Sequence, residues 1–137
     1  IMTKFLLLDI DGVLNCGDQK GLLSPQCEQL KRILDETGAL VILSSERRKS
    51  SKSLKQIIKL ILEMNHTMQS VTPVRPNIFT RAEEIKLWIT LNCPARYVIL
   101  DDDVSCIEMF PYHTVSTDPN VGLTEELANK VIEKLNG

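Results

Sequence analysis

The chain has 137 residues, the size of one domain built around one hydrophobic core. Apolar residues make up 43% of it and charged residues 25%, as in ordinary globular proteins. The net charge of −2 excludes a general electrostatic attraction to nucleic acid or to membrane surfaces. No apolar stretch is long enough to span a bilayer, and the first apolar run ends in acids rather than in a signal-peptide cleavage site. We therefore expect a single domain over residues 1–137.

The four cysteines (Cys16, Cys27, Cys93 and Cys106) show no CxxC spacing. That pattern favours reduced thiols over a zinc site or a disulfide framework. We expect a soluble protein of a reducing, cytoplasmic compartment.

Strand and helix patterns alternate along the chain. In chain order the sequence predicts a strand at residues 4–9, a flap or small hairpin at 12–23, a helix between Ser24 and Gly38, a strand at 39–44, a helix at 52–64, a short strand at 70–72, a helix opened by a capping box at Thr80, a strand at 97–101, a short helix at 104–110, a short strand at 113–117 and a final helix at 125–135. Such alternation predicts an α/β fold whose mostly parallel sheet has helices on both faces.

Two acidic clusters follow apolar runs that read as buried parallel strands. The first lies in KFLLLDIDGVLN at residues 4–15, and the second lies in RYVILDDD at residues 96–103. Ligands of open α/β sheets bind beyond the carboxyl ends of the strands, where both clusters stand. Carboxylates crowded at one place repel one another unless a cation or a proton holds them together. Mg²⁺, a hard dication that prefers oxygen ligands, is the simplest cation for this arrangement.

The first cluster also has the parts of a phosphate-transfer site. A carboxylate such as Asp9 can attack phosphorus and form an aspartyl-phosphate. Gly12 permits the backbone to leave the strand, so that Asp11 can return over the phosphate and move a proton to and from the reacting oxygens. The same turn would bring the carbonyl of Asp11 to the metal.

The sequence DIDGVLN after an apolar strand resembles the first motif of the haloacid dehalogenase (HAD) superfamily of phosphohydrolases. VILSS at residues 41–45 resembles the second motif, which implies that Ser44, with Ser45 and neighbouring N–H groups, binds the phosphoryl oxygens. Arg81 stands where the basic third motif is expected, and the resemblance implies that it stabilises the phosphate and positions Asp9. The residues that match the fourth motif are Asp101 and Asp102.

The resemblance implies a Rossmann-like three-layer fold of about five strands without a cap domain, and a Mg²⁺ ion held by Asp9, Asp11 and Asp102. Asp101 would support Arg81 or a metal-bound water. The chain is most similar to small HAD domains that occur alone or fused to RNA-repair enzymes. Two positions depart from those relatives: Glu46 stands where they tend to have tryptophan, and the third motif is more often lysine than arginine. Arg47 or Arg48 could therefore supply the cation in place of Arg81.

The resemblance implies a Mg²⁺-dependent phosphomonoesterase that acts through an aspartyl-phosphate. We weigh three alternatives to such an enzyme acting on a phosphoprotein: a nucleic-acid end phosphatase, which the RNA-repair relatives favour, a catalytically silent binding module and a receiver-type signalling domain. Residues 15–39 and 73–80 leave no room for a cap domain, which predicts an open site and a macromolecular substrate. The low aromatic content (4%) and the net negative charge favour a phosphoprotein, with phosphotyrosine reaching deepest, over a nucleic-acid end. A catalytically silent binding module would keep the fold without turnover. A receiver-type signalling domain is disfavoured because residues 70–73 hold no aspartate to accept a phosphoryl group.

Overall fold

The computed structural model describes residues 2–14, 24–75 and 79–137. Its strands are β1 (Lys4–Leu8), β2 (Leu40–Leu43), β3 (Met68–Val71), β4 (Arg96–Asp101) and β5 (Thr114–Ser116). Its α-helices are α1 (Pro25–Thr37), α2 (Ser51–Glu63), α3 (Arg81–Asn92), α4 (Val104–Met109) and α5 (Glu125–Asn136). A 3₁₀-helix at Glu46–Lys49, which the sequence did not predict, joins β2 to α2. The predicted flap at residues 12–23 falls mostly on residues 15–23, outside the described residues.

The five strands form one parallel sheet in the order β3-β2-β1-β4-β5. This confirms the predicted Rossmann-like α/β architecture. Leu8 pairs with Leu43 on one side and with Leu100 on the other, so β1, β2 and β4 reach the same edge in register. The acidic clusters and the serine pair that follow these strands are therefore brought to one edge of the sheet.

Helices cover both faces of the sheet, and each face packs against its helices in a separate apolar core. Leu6 and Leu8 face the core formed with α1, α2 and α5, and Leu7 faces the core formed with α3 and α4. Because side chains alternate along a strand, the residues after Leu8, Leu43 and Leu100 turn toward the α3 face. Trp88 of α3 is buried there, with its ring edge-on to Phe5, as its place in the helical pattern predicted.

Local signals explain where the helices begin and end. Ser24 caps α1 by accepting a hydrogen bond from the Cys27 N–H, and Gly38 ends the helix in the left-handed conformation at φ 69°. At the start of α3, the Thr80 hydroxyl accepts from the Glu83 N–H, while the Glu83 carboxylate accepts from the Thr80 N–H. The predicted capping box is thus present, and it places Arg81 at the first position of α3.

The described cysteines (Cys27, Cys93 and Cys106) are free thiols. Within residues 2–14, 24–75 and 79–137, no helix has the length and apolar character needed to cross a bilayer.

Candidate active site

Three aspartates meet at the carboxyl edge of the sheet. Oxygens of Asp9, Asp101 and Asp102 lie within 4.8 Å of one another. Asp9 and Asp101 are buried, and Asp102 is half-buried. The backbone of Asp9 is fixed by donation from its N–H to the Leu100 carbonyl at 3.0 Å, which joins the two strand ends directly. The structure thus brings together side chains from both acidic clusters of the sequence.

Among the described residues, Arg81 is the cation in contact with Asp9 and Asp101. Its Nη1 lies 2.8 Å from Asp101 Oδ2 and 3.3 Å from Asp9 Oδ1. Nη2 lies 3.8 Å from Glu46, an exposed carboxylate of the 3₁₀-helix. Burial by itself would lower the pKa of Arg81, but Asp101 and Asp9 raise it above its usual value. Arg81 therefore stays charged beside Asp9, in the position predicted for the third motif.

One arginine does not neutralise the buried acids. Burial raises the pKa of Asp9 to about 8, repulsion from Asp101 adds to this rise, and Arg81 offsets only part of it. Burial likewise raises the pKa of Asp101, against the lowering effect of Arg81. The raised pKa of Asp9 indicates that Arg81 alone does not hold this carboxylate fully ionised, and a further cation beside it would lower that pKa. Three carboxylates that converge in this way are a donor set that fits Mg²⁺.

The surrounding backbone separates the roles of the two acids in the second cluster. Asp101 Oδ1 accepts from the Asp103 N–H at 3.0 Å while Oδ2 accepts from Arg81, so both of its oxygens have protein partners. Asp103 caps α4 by accepting from the Ser105 N–H. Asp102 and Asp9 are the members of the group better placed to offer oxygens to a cation, and Asp101 is placed to hold Arg81.

Gly12 allows the acidic clusters to come together. It has a φ of +81°, in the left-handed region that favours glycine. A Cβ atom added there would stand 2.7 Å from Asp102 Cγ, so no side chain fits without moving that carboxylate. The Gly12 carbonyl accepts from the Thr117 hydroxyl at 2.8 Å, which fixes the turn against the loop after β5. Sequence reasoning identified the glycine but not the threonine that holds it.

Asp11 lies apart from the three-aspartate group. Its carboxylate is 59% exposed and forms a bidentate ion pair with the Arg47 guanidinium. The shortest distance in this pair, between Arg47 Nη2 and Asp11 Oδ1, is 2.8 Å. The predicted side-chain contribution of Asp11 at the cluster is thus not seen in this conformation. The predicted use of its backbone carbonyl as a metal ligand stays a prediction.

The two serines after β2, Ser44 and Ser45, make different contacts. Ser44 is fully buried beside the acids, and its N–H donates to the Leu8 carbonyl. The Ser44 hydroxyl has no partner among the described residues. Ser45 caps the 3₁₀-helix, because its hydroxyl accepts from the Arg47 N–H at 3.1 Å. A buried hydroxyl without a partner is uncommon in folded proteins, and a ligand in the site would provide one.

Arg48 is a structural residue. Its guanidinium pairs with Glu84 of α3 at 2.8 Å, with both side chains almost fully buried. It also donates to the backbone carbonyls of Thr72, Pro73, Ser44 and Ser45. Sequence reasoning missed this pair, because Arg48 stands within a basic run and Glu84 within an ordinary helix turn. Of the three arginines considered for the third motif, Arg81 is the one in contact with Asp9.

The chain was compared with known families and proteins. A family model for the HAD domain in Swiss Army Knife RNA repair proteins matches residues 5–128. No curated protein and no solved structure matches the chain significantly. The matched region contains both acidic clusters, the serine pair and Arg81, and a HAD domain suggests a hydrolase activity of the phosphatase type. The predicted resemblance is therefore confirmed: the chain belongs to the family of HAD domains found in Swiss Army Knife RNA repair proteins.

Proposed function

We propose that the protein is a Mg²⁺-dependent phosphomonoesterase in which Asp9 is the nucleophile. The observation that carries this proposal is the placement of buried Asp9 at a strand end between Arg81 and Asp102. A nucleophilic carboxylate needs a fixed position and nearby positive charge, because it must approach a phosphate dianion of the same sign. Arg81 provides the first charge, and the donor set provides a place for the second.

Asp9 and Asp102 would hold the Mg²⁺ ion. When bound, the ion keeps Asp9 ionised and offsets the negative charge of the phosphate. The Ser44 hydroxyl and the buried Nε of Arg81 are the polar atoms of the site without a partner among the described residues. Phosphoryl oxygens would accept hydrogen bonds from both, which gives these two residues the role of binding the phosphate.

The reaction would then have two steps. An oxygen of Asp9 attacks phosphorus as the bond to the leaving oxygen breaks, and Asp11 donates the proton that this oxygen needs. Asp11 next takes a proton from water as the water oxygen attacks phosphorus, which breaks the bond to Asp9 and releases phosphate. Before the first step Asp11 has to leave Arg47 and take up a proton from solvent, and the exposed position of the ion pair means that breaking it costs little.

The substrate we propose is a phosphate at the end of a nucleic-acid strand. The description of the matched family, RNA repair, supports this substrate over the phosphoprotein that the composition favoured. Both substrates share the same chemistry at Asp9. Turnover of phosphorylated oligonucleotides against phosphotyrosine peptides at equal concentration decides between them, and preferred hydrolysis of the peptides would reject the nucleic-acid assignment.

The chemistry itself is tested with p-nitrophenyl phosphate, which needs no recognition of a macromolecule. We expect hydrolysis with Mg²⁺, none with EDTA, and none from Asp9→Asn. Asp103→Asn is the matched control, because it changes a neighbouring acid that caps α4, and asparagine caps equally well. An Asp9→Asn protein with a normal rate would exclude Asp9 as the nucleophile. A wild-type protein without turnover on p-nitrophenyl phosphate or oligonucleotides would favour the silent binding module.

A further inference from the structure

The exposed face of α2 carries a stripe of three lysines. Lys52, Lys55 and Lys59 are exposed, and at 100° per residue they fall within about 60° of arc on the helix. The core residues Ile57 and Ile61 lie on the opposite side. We call Lys52, Lys55 and Lys59 the lysine stripe.

The charges of the stripe are not neutralised by its neighbours. Lys52 and Lys55 have no ion-pair partner among the described residues, and Lys59 has only Glu63 at 3.9 Å, with the lysine 79% exposed. Residues 47–62 hold six of the chain's 16 lysines and arginines and none of its 18 acids. Like charges three and four residues apart destabilise a helix slightly, so the stripe is unfavourable for the isolated protein.

The stripe continues directly from the rim of the candidate active site. Glu46, at the start of the 3₁₀-helix, approaches Arg81, and Arg47 holds Asp11. Ser50 then caps α2, and Lys52 follows in its first turn. A helix N-terminus carries partial positive charge, and α2 has no acid in its first turn to offset it. The cations between the site and the stripe are paired with acids, Lys49 with Glu46 at 2.6 Å and Arg47 with Asp11, so the unpaired positive charge begins at the first turn of α2.

We propose that the lysine stripe binds the phosphate backbone of a single-stranded RNA whose terminal phosphate occupies the site at Asp9. This inference rests on the proposed phosphatase function and adds the surface that holds the rest of the substrate. The lysines follow one another along the helix axis at about 4.5 and 6 Å, from the rise of 1.5 Å per residue. A nucleic-acid strand offers one charge per nucleotide to such a row whatever its sequence, whereas an acidic peptide does so only where acids repeat.

The test measures binding and turnover separately. A single-stranded RNA of about ten nucleotides, with a phosphate at one end and a fluorophore at the other, is titrated in EDTA between 0.05 and 0.5 M salt. The variant changes all three residues of the stripe to glutamine, which keeps the helix propensity nearly unchanged. The control changes Lys86, Lys130 and Lys134 to glutamine, an equal loss of charge on α3 and α5. Hydrolysis of p-nitrophenyl phosphate is measured for each protein.

The stripe variant should reduce the slope of log K against log salt by about 2, since each contact to a single strand contributes about 0.7. The ratio of wild-type affinity to stripe-variant affinity should therefore fall about 100-fold as the salt concentration rises from 0.05 to 0.5 M. The control should keep the wild-type slope, and all three proteins should hydrolyse p-nitrophenyl phosphate equally.

A stripe variant with the wild-type salt slope would overturn the proposal. A control variant whose slope falls as much as that of the stripe variant would also overturn it. An equal loss of affinity for an acidic phosphopeptide would overturn it in favour of a protein partner. Absence of p-nitrophenyl phosphate hydrolysis in every protein would reject the phosphatase function, while the binding slopes would still report on the stripe.

Discussion

Replacing Arg48 by methionine should destabilise the protein strongly, and more than the same change at Arg47. The two residues are adjacent in the 3₁₀-helix and chemically identical. Arg48 has its side chain fully buried against Glu84, with four further hydrogen bonds to backbone carbonyls. Arg47 is partly exposed, and its partner Asp11 is 59% exposed.

The magnitudes follow from burial. Methionine fills most of the volume of Arg48 but leaves the Glu84 carboxylate buried without its charged partner, which costs about 3–5 kcal/mol. In a domain of this size such a loss lowers Tm by roughly 10 °C or more. The exposed pair of Arg47 contributes about 0–1 kcal/mol, because water solvates both charges when the pair is broken.

Urea denaturation gives the free energy of unfolding of wild type, Arg48→Met and Arg47→Met. A third variant, Arg48→Met with Glu84→Leu, removes both charges and should recover part of the loss, since no buried carboxylate then remains. Recovery should be incomplete because the backbone carbonyls lose their donor. An Arg48→Met protein within about 1 kcal/mol of Arg47→Met would refute the structural role that burial gives to Arg48.

Four further predictions concern the site. In EDTA the free energy of unfolding should fall as pH rises from about 4 to about 8, because Asp9 has a pKa of about 8 in the folded protein and 3.8 in the unfolded chain. Denaturation at several pH values should show a smaller fall for Asp9→Asn than for the wild type. Equal pH dependence of the two proteins would contradict this prediction. Mg²⁺ at about 100 times its Kd should stabilise the wild type at pH 8 by roughly 2.7 kcal/mol in a thermal-shift titration, and no shift would exclude the metal site. Gly12→Ala should raise the Mg²⁺ concentration for half-maximal turnover about 10- to 100-fold by displacing Asp102, and an unchanged midpoint would show that the carboxylate is not fixed there. Ser44→Ala should lower kcat/KM roughly 10- to 100-fold without lowering Tm, because its hydroxyl has no hydrogen-bond partner to lose among the described residues. A lowered Tm would show that the hydroxyl stabilises the folded protein instead.

The sequence predicted the parts of the site that lie at strand ends. Asp9, Ser44 and Asp101 each follow an apolar run, and parallel pairing in register places the ends of such runs at one edge. The capping box at Thr80 predicted a helix start at Arg81, which the structure confirms as the start of α3, whereas the choice of Arg81 as the third-motif cation came from the resemblance to the HAD superfamily. These features depend on local patterns and on a sheet order common to many α/β folds.

The partners of long polar side chains could not be predicted in the same way. Arg47 and Arg48 are neighbours in one basic run, yet one pairs with Asp11 at the rim and the other with Glu84 inside the protein. The directions of their side chains are set by the 3₁₀-helix, which no apolar periodicity in the sequence predicted. An arginine has several rotatable bonds, so its partner depends on contacts distant in sequence rather than on its own segment.

The covalent bond that we propose between Asp9 and phosphorus can be detected in an acid-quench experiment. Protein with Mg²⁺ is mixed with substrate carrying a radioactive phosphate and stopped with acid on the millisecond scale, and the label is located by proteolysis. We expect acid-stable, base-labile label on the peptide that contains Asp9, and none in Asp9→Asn. Turnover without label on that peptide, together with full activity of Asp9→Asn, would contradict it.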